Sequence, residues 1–147
     1  MALKKTQLLP ITTVVGVQTV GIYTAGLTAT SVGVGTTSYV KSIIMHNAGA
    51  AANNAGTGTC RVGVYIYPNT GVTDRVANSG STGVGQSAYR IAQIDLAPRE
   101  TSFFETNYPL VMGNWGDTLS VAVDAPDDGG TGIGSMVNFI VNGDTDV

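Results

Sequence analysis

The sequence is short of charge, of long apolar runs and of the side chains that most often perform catalysis. Lys, Arg, Asp and Glu make up 12% of its 147 residues, about half of the roughly 25% that is typical of globular proteins. No apolar run approaches the roughly 18 to 20 residues of a membrane-spanning helix, so we expect no membrane segment. A domain with so little charge either buries surface against partner subunits or has a neutral surface rich in Thr, Ser and Asn. Composition does not decide between these two.

The charges that are present do not favour nucleic acid as a partner. The formal net charge is −3, and the seven Lys and Arg residues are scattered, with Lys4 and Lys5 as the sole doublet. Nucleic-acid binding generally requires a concentrated basic surface. The single cysteine, Cys60, cannot form an internal disulfide, which fits synthesis in a reducing cytoplasm.

Residues that could form a catalytic centre are almost absent. His46 is the only histidine, so a Ser-His-Asp or Cys-His arrangement would have to use it. Cys60 shares its alternation with Val62 and Val64, which indicates a core thiol rather than a nucleophile. One His and one Cys also exclude the usual zinc ligand sets. We therefore predict no catalytic residues, no cofactor and no enzymatic activity.

An acidic, glycine-rich corner contains Asp124, Asp127 and Asp128. These carboxylates could contribute oxygen ligands to Ca²⁺, but the alternating spacing and closing Glu of a dedicated calcium loop are missing. A turn rich in Asp and Gly does not need a metal, so we predict no metal site.

The apolar residues occur in short β-branched runs separated by Gly, Asn, Asp and Pro, a pattern typical of strands and turns. Within residues 59–67, Cys60, Val62, Val64 and Ile66 share one face. A change of face within residues 88–96 indicates either a bulge or burial on both sides of that strand. Residues 72–86 are predicted to form a long surface loop. Strands are expected at residues 11–24 (one broken strand or a pair), 39–47, 59–67, 88–96, 102–105, 110–111, 119–124 and about 137–142.

Eight or nine strands in a chain of this length predict an all-β fold, a single antiparallel two-sheet β-sandwich for which a jelly roll is the expected topology. Residues 11–147 would form this domain, and residues 1–10, closed by Pro10, a short N-terminal arm. Leu8 and Leu9 would suit docking of the arm onto a neighbouring subunit. The alternative is a strand end that folds back onto its own domain, and the sequence does not distinguish the two.

Three aromatic residues are candidates for contacts with partners. Trp115 lies between glycines in a Gly-Asn-Trp-Gly-Asp corner, where it could be a carbohydrate platform or an interface anchor. It could also close one end of the sandwich, which is the commonest fate and the one we expect first. Tyr65 and Tyr67 have outward parity in their strand, where tyrosines serve interfaces well.

The order of several short motifs resembles small β-sandwich virion proteins of tailed bacteriophages. In that pattern "yT" and "t-v-k-s-I…N" precede "l-A-P-g-E-t" and "G-D-t-L-s-v". Here Arg99 replaces the usual Gly of the third motif, and the first motif lacks its usual Pro-Ala-Gly. The matching pieces are residues 22–24, 36–43, 46–47, 96–101 and 116–121.

The resemblance implies a structural protein without catalysis, most similar to a capsid decoration (cement) protein on the virion surface. Its partner would be the major capsid protein, and such proteins commonly sit on the lattice as homotrimers. A second possibility, from another class, is a tail, fibre or knob module that recognises a host-surface glycan. The residues predicted to make intersubunit contacts are Lys4, Lys5, Leu8, Leu9, Tyr65, Tyr67 and Trp115.

Overall fold

A computed structural model describes residues 3–15, 19–26, 37–50, 59–67, 89–113, 117–124 and 135–146 of the chain. Within these ranges there is no helix long and apolar enough to cross a membrane. The described residues form eight strands: β1 Leu3–Val15, β2 Val20–Thr24, β3 Ser38–Ala50, β4 Cys60–Tyr67, β5 Arg90–Leu96, β6 Thr101–Met112, β7 Thr118–Asp124 and β8 Ser135–Asp146.

The strands form two four-stranded antiparallel sheets. The strand order is β1-β8-β3-β6 in the first, named sheet A here, and β2-β7-β4-β5 in the second, sheet B. The prediction of an all-β, two-sheet antiparallel sandwich is therefore confirmed. Within the sheets β1 pairs with β8, β2 with β7, β3 with β6 and β4 with β5. The first half of the chain thus pairs with the second half in reverse order.

The hydrophobic core lies between the sheets because strand residues alternate between two faces. In β8, Val137, Phe139 and Val141 are fully buried, whereas the residues between them are partly exposed. In β4, Cys60 and Val62 are buried on the predicted inner face. The other buried hydrophobic members of the core are Val14, Ala25, Val40, Ile43, Met45, Val64, Leu96, Met112, Leu119, Val121 and Val123.

The structure decides between two expectations for one segment and corrects the predicted division of another. Residues 11–24 contribute to strands of different sheets, since β1 ends at Val15 in sheet A and β2 begins at Val20 in sheet B. The predicted strands 102–105 and 110–111 are one strand, β6, which contains Pro109. Proline is tolerated there because β6 is an edge strand, and its pairing with β3 changes register between Glu105 and Leu110.

Of the two explanations for the change of face in residues 88–96, the structure shows the bulge, which lies in β5. Val64 of β4 pairs with Ala92, and the next residue, Tyr65, pairs with Arg90. Ile91 is therefore the extra residue of the bulge. The predicted loop at residues 72–86 lies outside the described residues.

The turn between β5 and β6 has the geometry that its sequence suggests. The Glu100 amide donates to the Ala97 carbonyl at 3.1 Å, and the Glu100 carboxylate accepts the Ala97 N–H at 2.6 Å. Pro98 occupies the second position and Arg99 the third, with φ of 65°. A turn of type II needs a positive φ at its third position, where glycine is preferred. Arg99 is thus a non-glycine residue in a left-handed conformation.

Buried Asn47 connects this turn to β3. Its amide donates to the Glu100 carbonyl and its carbonyl accepts the Arg99 N–H, both at 2.9 Å. Its side chain donates to the Leu96 carbonyl at 3.2 Å. Three backbone groups of one connection are therefore satisfied by one residue near the end of a central strand.

Candidate functional site

The N-terminal residues are part of sheet A. Residues 3–10 begin β1 and pair with β8 from Leu3 opposite Asp146 onward, and Lys4 lies opposite Thr145. Leu8 and Leu9 are half-buried and pack against the core of their own domain, while Lys5 is exposed. Of the two arrangements that the sequence left open, the described residues adopt the strand that folds back onto its own domain.

The predicted contact tyrosines form a cluster with a third tyrosine. The rings of Tyr65 and Tyr67 are stacked with centroids 6.1 Å apart, and Tyr89 packs on Tyr67 at 5.0 Å. Tyr67 is 2% exposed, and burial is the largest cause that raises its pKa to about 12. The prediction of Tyr67 as an exposed contact is therefore corrected, because its neighbours already cover the ring. Tyr65 is half-buried, and Tyr89 is 43% exposed.

The remaining candidates are either outside the described residues or separate from one another. Trp115, Asp127 and Asp128 lie outside them. Among the residues that the structure describes, no group of three or more His, Cys, Asp and Glu side chains could hold a metal ion. Cys60 belongs to sheet B and is buried in the core. His46 belongs to sheet A, where its ring nitrogen Nδ1 lies 2.7 Å from a threonine hydroxyl of the neighbouring strand. The structure does not bring these two side chains together.

The outer face of sheet A carries a feature that the sequence interpretation did not identify. Ile44 of β3 is paired with Ile140 of β8 on one side and with Phe103 of β6 on the other. Ile44 and Ile140 each lie between two buried residues, and Phe103 precedes a residue that packs against the core. All three therefore point away from the core. Phe103 is 58% exposed, so these side chains form an apolar surface rather than core.

The surface continues onto the fourth strand, β1, at a bulge. Leu9 pairs with Val141 and Thr12 with Phe139, which leaves Pro10 and Ile11 opposite Ile140. Ile11 is 66% exposed. We call Ile11, Ile140, Ile44 and Phe103 the apolar row, since they cross all four strands of sheet A.

Polar rows flank the apolar row on both sides. On one side Asn138 pairs with Thr13 and His46, and His46 pairs with Thr101. Two side-chain hydrogen bonds run along this row: the Thr13 hydroxyl donates to the Asn138 side chain at 2.6 Å, and His46 contacts the Thr101 hydroxyl. On the other side the paired residues are Gln7, Asn142, Ser42 and Glu105.

Charge is confined to the margins of this face. Lys41 forms an ion pair with the buried Asp144 at 2.5 Å, where an irregularity in the β3 pairing makes Lys41 the extra residue. In the apolar row and the two polar rows beside it, Glu105 is the one carboxylate and His46 the one imidazole. The centre of the face is therefore uncharged and partly exposed, a combination that is typical of a protein-contact surface.

Comparison with protein-family models, with curated proteins and with solved structures gave no match to this chain.

Proposed function

We propose that this chain is a non-enzymatic structural protein of a bacteriophage virion, which decorates the capsid surface and stabilises the head by binding the assembled lattice. The observation that carries the proposal is apolar surface on both sheets of a domain with 12% charged residues. Ile11 and Phe103 are exposed on sheet A, and Val20 and Ile91 are 40% exposed on sheet B. A subunit that meets partners on two sides requires such surface on two sides.

The strand order supports the virion part of the proposal and the jelly-roll topology that goes with it. A jelly roll is an eight-stranded sandwich of two Greek keys, found among viral capsid domains and lectins. In such a fold the two halves of the chain pair in reverse order, so that the first strand pairs with the last and the second with the one before the last. The strand orders β1-β8-β3-β6 and β2-β7-β4-β5 have these pairings. This is an analogy at the level of the fold, and the motif resemblance adds the phage capsid.

Decoration would stabilise the shell by mass action. A protein that binds the assembled lattice and not the free capsid subunit shifts the equilibrium away from disassembly. At a concentration of 100 times Kd, this contributes about 2.7 kcal/mol per site. No catalytic group is needed for this function, and the partner would be the major capsid protein.

The test uses capsids of the encoding phage that were assembled without this protein. We expect the purified chain to co-sediment with these capsids to saturation and to raise their dissociation temperature, while unassembled major capsid protein does not bind. Absence of co-sedimentation at micromolar concentrations would overturn the proposal.

The tyrosine cluster favours one alternative, a module that binds a host-surface glycan. Tyr89 is 43% exposed beside two further rings, and tyrosine rings can stack on sugars. Binding to a glycan array that is lost in Tyr89→Ala, together with no binding to capsids, would support the alternative instead.

A further inference from the structure

The outer face of sheet A is large enough for a stable protein contact. It has four strands, and its central strand β8 has 12 residues. With strands spaced about 4.8 Å apart and a rise of about 3.3 Å per residue, its area is about 750 Å². A standard interface buries about 800 Å² on each partner. A partner that covered this face would therefore need little additional surface.

The pattern on this face is complementary to itself. The apolar row lies between two polar rows, so a second copy turned over about an axis along the row places apolar on apolar and polar on polar. A two-fold interface requires such a self-complementary patch, because the same surface serves both partners. Two apolar rows in contact would bury Phe103 and Ile11, the most exposed members of the row.

The same rotation also gives the carboxylate a polar partner. It lays the row that contains Glu105 over the row that contains His46 and Thr101. Glu105 and Thr101 both lie in β6, so the carboxylate of each copy comes over the Thr101 hydroxyl of the other, one strand away from the His46 imidazole, and no like charges face each other within the three rows. A partner with a strongly charged surface would instead have to desolvate its charges against the uncharged apolar row.

We propose that a second copy of this chain covers the outer face of sheet A, with the apolar rows of the two copies packed together and related by a two-fold axis along the row. This dimer does not depend on the decoration function. It differs from the homotrimer that the phage resemblance implies, since a trimer joins two different patches of each subunit, whereas this face is complementary to itself.

The edges of sheet A are less suitable for association with a second copy. In β1 the edge contains Pro10 and the exposed Lys5, and in β6 it contains Pro109. Proline and lysine are residues that protect edge strands from pairing with other chains. Contact between faces is therefore favoured over extension of the sheet.

The experiment is light scattering on size-fractionated protein over a dilution series. We expect the wild-type chain to have twice the 15.0 kDa chain mass. Phe103→Glu and Ile11→Glu should each raise the dimer dissociation constant at least about tenfold, since each places a carboxylate in the apolar contact. Both positions are exposed, so the fold should survive, and an unchanged far-UV circular dichroism spectrum checks this.

Ile91→Glu is the matched control, because Ile91 is an exposed isoleucine on sheet B. It should leave the dimer dissociation constant unchanged. A wild-type monomer, a trimer, or a dimer that Phe103→Glu and Ile11→Glu leave intact would each overturn the proposal. So would equal weakening of the dimer by Ile91→Glu. Capsid binding is measured separately, so failure of the dimer and failure of decoration are distinguishable.

Discussion

Replacement of Gly143 by alanine tests the closest approach between strands in sheet A. Gly143 lies in β8 between Thr6 of β1 and Val40 of β3. An added methyl group would lie 3.0 Å from the carbonyl carbon of Tyr39, closer still to the Tyr39 carbonyl oxygen, and 2.9 Å from the Leu8 Cδ1 atom. The leucine side chain can rotate away, but the carbonyl belongs to β3 and can move only if the strand moves.

The expected cost follows from that strand movement. Overpacking alone costs about 1 to 3 kcal/mol, and each backbone hydrogen bond that is lost or distorted adds about 1 kcal/mol. With one such bond distorted, at the Tyr39 carbonyl, we expect Gly143→Ala to lower the free energy of unfolding by about 2 to 4 kcal/mol. Since 1 kcal/mol corresponds to roughly 2 to 4 °C in a domain of this size, Tm should fall by about 10 °C.

Urea unfolding followed by circular dichroism provides the measurement, with two other glycines as controls. At Gly113 the nearest atom to an added methyl group is Val111 Cγ1 at 3.8 Å, so Gly113→Ala should change the free energy of unfolding by less than about 0.5 kcal/mol. At Gly49 nothing lies within 4 Å, but φ is 101°, so Gly49→Ala should cost about 1 to 2 kcal/mol through backbone strain alone.

The order of the three variants in free energy of unfolding decides whether this reasoning is correct. If Gly143→Ala were as stable as Gly113→Ala, β8 and β3 could not approach each other as closely as described. The irregular register around Lys41 would then be wrong as well, since it sets the position of the Tyr39 carbonyl over Gly143.

Three further predictions concern single side chains. Arg99→Gly should raise the free energy of unfolding by up to about 1 kcal/mol, because relief of the left-handed strain exceeds the entropy cost of glycine, whereas Arg99→Ala keeps the Cβ atom and should give no gain; a urea unfolding series compares the two. Burial raises the pKa of Tyr67 from its ordinary 10.0 to about 12, so the native state keeps a proton that the unfolded state has lost between these values. The free energy of unfolding should therefore fall by at most about 3 kcal/mol as pH rises from 10 to 12, and unfolding measured across this range should show a smaller fall in Tyr67→Phe. Cys60 is 1% exposed, so a thiol reagent should label it only after denaturation, and rapid labelling of the native protein would contradict its place in the core.

Local alternation made much of the fold predictable from the sequence. The inner face of β4, which includes Val62, and that of β8, which includes Val137, Phe139 and Val141, follow from apolar residues at every second position. Side chains of a half-buried strand must alternate between the core and the surface. The type II turn is visible as Pro98 followed by the position that usually holds glycine. These features depend on neighbours within a few residues, and such information is present in the sequence itself.

Pairing between distant strands could not be predicted in this way. The burial of Tyr67 depends on its contacts with Tyr65 and Tyr89, the second of which comes from outside the strand. The sequence likewise left open whether Leu8 and Leu9 face another subunit or their own core. That choice depends on the pairing of β1 with β8, at the opposite end of the chain.

The apolar row shows why a contact surface is harder to predict than a core. In the sequence Ile43-Ile44-Met45 one isoleucine must point outward if its neighbours point inward, but a single exposed isoleucine is ordinary on a protein surface. It becomes a feature only when Ile140 and Phe103 take the paired positions on both sides, and this requires two long-range registers to be correct. The fourth member, Ile11, is in line because Thr12 pairs with Phe139, which brings the preceding residue opposite Ile140. The same bulge turns Leu9 towards Val141 and the core, so the burial of Leu9 and the exposure of Ile11 both depend on where β1 changes register against β8.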